Sequence, residues 1–272
     1  MPRKIPLAKE YLRGNYPVAY RQFISGRFNN FSVPSNLKRF IKSPLLEIPD
    51  DEGGGAIDPD TITGLVRWYK ADSFIGYTDG QSCGRTGIDP WVDQKGSGQD
   101  ARSAAGAIWK DSTNYGKPYV EFVLQAFGNA DSGNLGDFTV IAACKKTSTS
   151  SFLIYHGITG NQIRRSFSGD NTTLFYDGTG GGQAASAFAN PNNFVAVTIR
   201  RSGTTVSFRE NLTSRGSFTY SSATFATNEI GSISNGSFID IGEILIYNNA
   251  LDDATLDSLY TDYLKPRFTI LP

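Results

Sequence analysis

The chain has 272 residues, 29 of them glycine, and only 19% are charged, which suits one large, loop-rich β-domain with an appendage better than a helical protein. Basic and acidic residues number 26 each, so the net charge points to no class of partner. No apolar run approaches the roughly 18 residues of a membrane-spanning helix. Two cysteines, Cys83 and Cys144, are too few for a disulfide scaffold, and whether they pair stays open.

The first 60 residues have the composition of an extended arm. Seven prolines between positions 2 and 59 exclude long helices and central strands. Residues 1–44 carry nine basic residues and one acid, a local charge of +8 (9 − 1), whereas residues 45–60 carry six acids and no base. The glycine-rich segment 48–60 is typical of a flexible joint. We therefore expect an anchoring arm and joint over residues 1–60 and a folded domain over residues 61–272.

Aromatic and basic side chains are interleaved along the arm. Such a segment cannot close a core alone, yet it is too aromatic for a solvated linker, so we expect it to dock on a larger protein surface. Its aromatic groups would be buried there while its bases meet an acidic partner. A solvated basic face is the alternative, and nucleic acid is disfavoured because the scattered bases form no recognised module. The expected anchoring residues are Tyr11, Tyr16, Tyr20, Arg21, Phe23, Arg27, Phe28, Phe31, Lys38, Arg39 and Phe40.

From residue 62 onward, short β-rich runs alternate with clusters of Gly, Asp and Asn. This alternation predicts an antiparallel sandwich, and RRSGTT (200–205) joins two of its strands at hairpin spacing. The predicted strands are 65–71, 119–123, 138–144, 151–157, 162–167, 173–177, 194–200, 205–210 and 237–247.

One helix is predicted, over residues 252–264. Apolar side chains recur at helical spacing from Leu251 to Leu264. Asp252 or Asp253 can cap the start of the helix, and Pro266 would stop it.

Four segments resemble the concanavalin-A-like and laminin-G-like jelly-roll family. GLVRWYKADS (64–73) resembles the family's first strand with its tryptophan, and PWVDQKGSGQDA (90–101) resembles the segment that follows. FVAVTIRRSGTTVSFREN (194–211) resembles its paired strands, and ILIYNNALDD (244–253), with the helix after it, resembles its end.

This resemblance covers residues 62–268. It implies an all-β, antiparallel jelly-roll sandwich with one C-terminal helix. The sequence departs from the family pattern where Leu212, in place of the usual glycine, follows Asn211. Lectins, glycan-binding modules, glycosidases and structural domains all use this sandwich, so the resemblance does not decide the function.

Asp240 and Glu243 are the candidates for a catalytic pair of carboxylates. In a regular strand they would point to opposite faces, but the apolar positions change parity between Ile241 and Ile244, so a bulge at Gly242 would bring them together. Hydrolases of the resembling fold carry three acids on this strand, and the third is missing here. We therefore expect a strand and helix that seal the sandwich, with no catalysis; a glycoside hydrolase is the least favoured alternative.

Other chemistry has few candidates. Trp109 is the candidate for stacking on a sugar ring, because Trp68 and Trp91 fall at core positions of the resembling family. The single histidine, His156, belongs to no catalytic relay, and GTGGG (178–182) is a loop without the lysine and helix of a phosphate cradle. We expect no cofactor. Calcium alone stays open, because six aspartates lie in predicted loops, although turn positions explain them better: Asp72, Asp79, Asp93, Asp100, Asp131 and Asp137.

These features lead to two hypotheses. The first is a non-enzymatic structural protein of a bacteriophage virion, a capsid decoration or tail-associated protein. Its arm would bind other virion proteins, its sandwich would be displayed outward, and it would form a homo-oligomer. The alternative is a carbohydrate-binding lectin or host-surface adhesin that binds cell-surface glycans.

Overall fold

The computed structural model of the chain describes residues 57–103, 105–147, 151–155, 161–166, 172–177, 184–187, 193–219, 225–231 and 238–272, and two short strands near the N-terminus. The chain divides into two units, Met1–Gly53 and Gly54–Pro272. In the first unit, β1 (Lys4–Ile5) pairs antiparallel with β2 (Leu46–Glu47). The eleven side chains expected to anchor the arm lie outside the described residues.

The second unit is an antiparallel β-sandwich, as predicted. Its strands are β3 (Leu65–Lys70), β4 (Ser82–Cys83), β5 (Ala107–Lys110), β6 (Tyr119–Val123), β7 (Ala126–Phe127), β8 (Phe138–Lys146), β9 (Ser151–Tyr155), β10 (Asn161–Ser166), β11 (Thr172–Asp177), β12 (Ala184–Ala187), β13 (Val195–Ser202), β14 (Thr205–Glu210), β15 (Thr213–Thr219), β16 (Glu229–Gly231) and β17 (Phe238–Tyr247). A nine-stranded sheet has the order β15-β14-β13-β8-β17-β6-β5-β4, with β3 also paired to β17. The six-stranded sheet has the order β12-β11-β10-β9-β16-β7.

All nine predicted strands are confirmed, and β8 and β17 show why they were recognisable. These two strands lie side by side in the nine-stranded sheet and are buried along almost their whole length. One face of the sheet packs on the core between the sheets, and the other lies beneath the C-terminal helix. Because both faces are covered, the strands are apolar nearly throughout.

Two apolar clusters hold the sandwich together. The larger cluster lies between the sheets, and its fully buried side chains include Trp91, Phe122 and Phe138. The smaller cluster lies on the opposite face of the nine-stranded sheet, where Leu245 packs under the helix with Leu259. The helix therefore covers one outer face of the sandwich.

The C-terminal helix begins at Asp253 and ends at Arg267. The Asp252 side chain caps it by accepting a hydrogen bond from the Thr255 backbone N–H at 2.7 Å. Residues Leu259–Leu264 are π-helical. The prediction that Pro266 stops the helix is wrong, because helical residues continue through Pro266 and end one residue later, at Arg267. Within the described ranges, no helix is long and apolar enough to cross a membrane.

Two predicted local features of the strands are confirmed. Ser202 pairs with Thr205, which closes a tight hairpin between β13 and β14. In β17 the register against β8 shifts between Ile241 and Glu243, so Gly242 is the extra residue of a β-bulge.

The sandwich begins before the boundary predicted at residue 61. Ile57 packs against the smaller apolar cluster, and Pro59 is buried. The Tyr247 hydroxyl donates to the Pro59 carbonyl at 3.4 Å, and Asp60 forms an ion pair with Lys95. Residues 57–60 therefore belong to the sandwich and not to the acidic joint.

Candidate functional site

The bulge at Gly242 brings Asp240 and Glu243 to the face of β17 that packs under the C-terminal helix. Both carboxylates are buried, with 4% and 1% of the residue exposed. Glu243 Oε1 accepts hydrogen bonds from Trp68 Nε1 and from the Tyr263 hydroxyl, and Glu243 Oε2 accepts one from Arg267 Nε at 3.1 Å. Both carboxylate oxygens are therefore occupied by donors from the protein itself.

Arg267 joins Glu243 to a second carboxylate. Its Nη2 donates to Asp72 Oδ2 at 2.7 Å, and Arg267 itself is 6% exposed. Burial acts to lower the pKa of Arg267, but the charges of Glu243 and Asp72 outweigh it and raise that pKa above its usual value. Burial acts to raise the pKa of Asp72, but the Arg267 charge outweighs it and lowers that pKa. The cluster ties the helix to β3 and β17 as a satisfied ion network.

Asp240 has a different environment. The Tyr115 hydroxyl donates to Asp240 Oδ2 at 2.7 Å, whereas Oδ1 is buried without a hydrogen-bond partner among the described residues. Burial raises the pKa of Asp240 to about 6; the charge of Glu121 adds to this shift, and the bond from Tyr115 opposes it. Asp240 and Glu243 thus share a face, as the predicted bulge implied, but both are covered. The arrangement is that of a strand and helix that seal the sandwich.

The three tryptophans do not form a stacking platform. The prediction that Trp109 lies at the surface is wrong: it is 8% exposed, and its Nε1 donates to the Ala71 carbonyl at 3.0 Å. The physical reason is β5, a strand that the sequence did not predict, along which Ala107 and Trp109 alternate inward. Trp91 is fully buried, as expected, and Trp68 is partly buried against the Glu243 network.

The six loop aspartates act as local acceptors or ion-pair partners. Asp93 Oδ1 accepts the backbone N–H groups of Trp68 and Lys95, and Asp137 Oδ1 accepts that of Gly203 at 2.7 Å. The other four behave alike: Asp72 with Arg267, Asp79 with Lys110, Asp100 with the Asp93 N–H, and Asp131 with the Gly133 N–H. Across the described part of the chain, no group of three or more His, Cys, Asp or Glu side chains is placed to hold a metal ion.

The remaining sequence candidates are the single histidine, the glycine-rich loop and the two cysteines. His156 and residues 178–182 lie outside the described residues. Cys83 and Cys144 are both buried and form no disulfide, which answers the question of their pairing. Burial raises the pKa of Cys83 far above its usual value, which keeps the thiol protonated and unreactive.

The outer face of the six-stranded sheet is covered by no helix that the structure describes. Ile163 and Ile230 are buried in the cluster between the sheets, so Gln162 and Glu229, next to them in sequence, lie on the outer face. The strand register sets Glu229 beside Tyr155, Tyr155 beside Gln162, and Gln162 beside Tyr176. We call these four positions, which cross β16, β9, β10 and β11, the tyrosine row.

The described side chains of the tyrosine row are polar and partly accessible. Gln162 Oε1 accepts a hydrogen bond from Arg164 Nε, and Gln162 is partly exposed. Burial raises the pKa of the Glu229 carboxyl, which is also partly exposed. This row could not be predicted from the sequence, because β16 has only three residues and the order of the strands follows from the pairing alone.

No family model matches the chain, and no curated protein matches it in sequence. Among solved structures, it is similar to the binding domain of Paraclostridial Mosquitocidal Protein 1, with a TM-score of 0.51 and 13% identity over 74% of this chain and 52% of that one. It is also similar to the Botulinum Neurotoxin Type G receptor binding domain, with a TM-score of 0.50 and 9% identity over 73% of this chain and 51% of that one. The chain thus spans about half the length of each of these two structures. At these identities the likeness shows the fold, which agrees with the predicted sandwich.

Proposed function

We propose that the chain is a non-enzymatic glycan-binding module and that the outer face of its six-stranded sheet is the binding surface. The tyrosine row is the observation that carries this proposal, because it sets two tyrosine positions on either side of a glutamine and places a glutamate at one end. The two solved structures compared above are binding domains, which agrees with a binding role.

The composition of the row suits a sugar ligand. Aromatic rings bury the apolar face of a pyranose, and amide and carboxylate groups exchange hydrogen bonds with its hydroxyls. Tyr155 and Tyr176 lie two strands apart, which is about 10 Å. This spacing suits an oligosaccharide better than a single sugar. The opposite outer face of the sandwich is occupied by the C-terminal helix, whereas none of the described helices packs on the outer face of the six-stranded sheet.

A glycan array probed with the full chain, with and without calcium, tests the proposal. We expect the parent to bind a defined set of oligosaccharides and the variants Tyr155→Ala and Tyr176→Ala each to weaken binding on the order of tenfold, since an aromatic contact contributes about 1 kcal/mol. Phe218→Ala is the matched control, because Phe218 is 38% exposed but lies on β15 of the other sheet. The proposal would be contradicted if the parent bound no glycan on the array, or if both tyrosine variants bound as tightly as the parent.

A virion role is a second proposal, and the sequence of the arm alone supports it. Its local charge of +8 and its interleaved aromatic residues suit docking on an acidic protein surface. We expect a chain that begins at Gly54 to lose incorporation into a particle that takes up the full chain. Light scattering adds a simpler comparison: defined oligomers formed by the full chain and not by the shortened chain would favour assembly through the arm. Normal incorporation without the arm would refute this role.

A further inference from the structure

The tyrosine row continues beyond β16 to an arginine. Ile230 pairs with Phe127, so continuing the register by one residue sets Gly128 beside Glu229. Gly128 in turn forms an antiparallel bridge with Arg102, with both backbone hydrogen bonds at 2.9 Å. Ala101 is fully buried between the sheets, so Arg102, the next residue, lies on the outer face.

Arg102 differs from the other arginines whose side chains the structure describes. It is exposed, and within that part of the chain its guanidinium has no hydrogen bond and no ion pair. The other eight all have partners, which are acidic groups, backbone carbonyls or neutral polar side chains: Arg67, Arg85, Arg164, Arg200, Arg201, Arg209, Arg215 and Arg267. An exposed guanidinium with all its donors free presents the fork that binds a carboxylate through two hydrogen bonds.

Gly128 leaves a notch between Arg102 and Glu229. A Cβ atom placed on Gly128 would meet only the Arg102 carbonyl oxygen, at 3.8 Å, so the space above this residue is open. Arg102 and Glu229 are two strands apart, about 10 Å, with the glycine between them. The notch therefore has a cationic wall on one side, an acceptor on the other and no side chain on its floor.

We propose that this notch is the subsite of an acidic sugar, whose carboxylate binds Arg102 while its hydroxyls donate to Glu229. The proposal rests on the glycan-binding function and names the ligand class for the same surface. A neutral sugar would leave the guanidinium without a partner. A carboxylate at the Glu229 end would meet a like charge, so the charges also orient the glycan along the row.

Titration of the full chain with paired oligosaccharides tests the subsite. Trigalacturonic acid and sialyllactose are each compared with their methyl esters, which keep the shape and lose the charge. We expect the acids to bind more tightly than the esters on the order of tenfold to a hundredfold, the range of a hydrogen bond to a charged group. Arg102→Gln should abolish this difference, and Arg102→Lys should restore part of it, because lysine keeps the charge and loses the fork.

Filling the notch is the second test. Gly128→Val should weaken the binding of the acids. Gly136→Val is the matched control, because a Cβ there meets nothing within 4 Å, and a Cβ on Gly128 meets only one carbonyl oxygen at ordinary van der Waals distance. Acids and esters that bind equally, or an acid preference that survives Arg102→Gln, would overturn the acidic subsite and leave the glycan-binding function standing. A parent chain that binds no glycan of any kind, on the array or in the titration, would overturn the function itself and the subsite with it.

Discussion

The Glu243 carboxylate accepts three hydrogen bonds from two distant parts of the chain. One donor is Trp68 on β3, and the other two are Tyr263 and Arg267 on the C-terminal helix. Glu243→Gln removes the charge opposite buried Arg267 and turns an amide N–H₂ toward groups that are themselves donors. Loss of one partner from a buried ion pair costs about 3–5 kcal/mol, so we expect a fall of that order in the free energy of unfolding, measured in urea. Glycan binding should be unchanged.

Glu121→Gln is the control for this variant. Glu121 lies on β6 beside Asp240 of β17 and is only partly buried, so we expect a change within about 0.5 kcal/mol. If Glu243→Gln and Glu121→Gln had the same free energy of unfolding, the ion network would not be the interaction that holds the helix on β3 and β17.

Asp240 should make stability depend on pH. Its folded pKa, raised from 3.8 to about 6 by burial, means that the folded state binds the proton more tightly than the unfolded state. The stabilising contribution of the protonated carboxyl is therefore fully present below pH 4 and is lost as the pH rises through 6. Asp240→Asn should remove this loss. The free energy of unfolding of the variant should therefore rise relative to that of the parent by up to about 3 kcal/mol between pH 4 and pH 7.

Asp252→Asn provides a control of opposite sign for the pH series. The hydrogen bond from the Thr255 N–H lowers the pKa of this exposed cap, so its contribution is present above pH 4 and is lost as the pH falls. Urea unfolding from pH 3 to 8 compares the two variants with the parent. If the difference in the free energy of unfolding between the parent and Asp240→Asn did not change with pH, Asp240 would be ionised at no cost in the folded state.

At the scale of the elements, Gly242 couples the bulge to the helix. A Cβ at this position would lie 2.4 Å from Phe268 Cε1 and 3.2 Å from Phe194 Cζ, and both rings are buried. Gly242→Ala must therefore push Phe268 out of its position, and overpacking of this kind costs about 1–3 kcal/mol. Urea unfolding beside Gly136→Ala, where the Cβ meets nothing, measures the effect. If the two variants had the same free energy of unfolding, Phe268 and the end of the helix could move aside without a loss of stability.

The elements that could be predicted from the sequence are those in which the spacing of apolar residues shows which side chains are buried. The nine predicted strands and the bulge follow from apolar positions that a local window contains. β4 and β7 have two residues each and are too short to show an alternating pattern. β15 was missed because all of its Ser, Thr and Gly residues are exposed, so no buried apolar positions mark it. Trp109 was misplaced for the same reason, since the alternation that buries it belongs to an unpredicted strand, β5.

The candidate site was beyond local sequence reasoning. Glu229, Tyr155 and Gln162 lie far apart in the chain, and each is unremarkable in its own segment. They become neighbours only because β16 inserts between β7 and β9, a pairing that depends on the closure of the whole sandwich. Arg102 enters the row through a single bridge to Gly128, which has no local signature at all.

At the scale of the molecule, the two outer faces of the sandwich differ in what covers them and in polarity. The helix and residues 57–62 cover the nine-stranded sheet, and their apolar side chains complete the smaller cluster. The outer face of the six-stranded sheet carries the partly exposed polar side chains of Gln162 and Glu229. A face with this polarity is suited to a hydrated ligand, whereas the covered face is suited to holding the fold together.

The start of the sandwich yields a prediction for the molecule as a whole. A chain that begins at Ile62 loses the packing of Ile57 and Pro59, the acceptor of the Tyr247 hydroxyl and the partner of Lys95. Removal of the partly buried Ile57, the buried Pro59 and one hydrogen bond should lower the free energy of unfolding by at least about 2 kcal/mol relative to a chain that begins at Gly54. Urea unfolding of the two chains measures this difference. If they unfolded at the same midpoint with the same slope, residues 57–60 would be part of the joint, as the sequence alone suggested, and the sandwich would close without them.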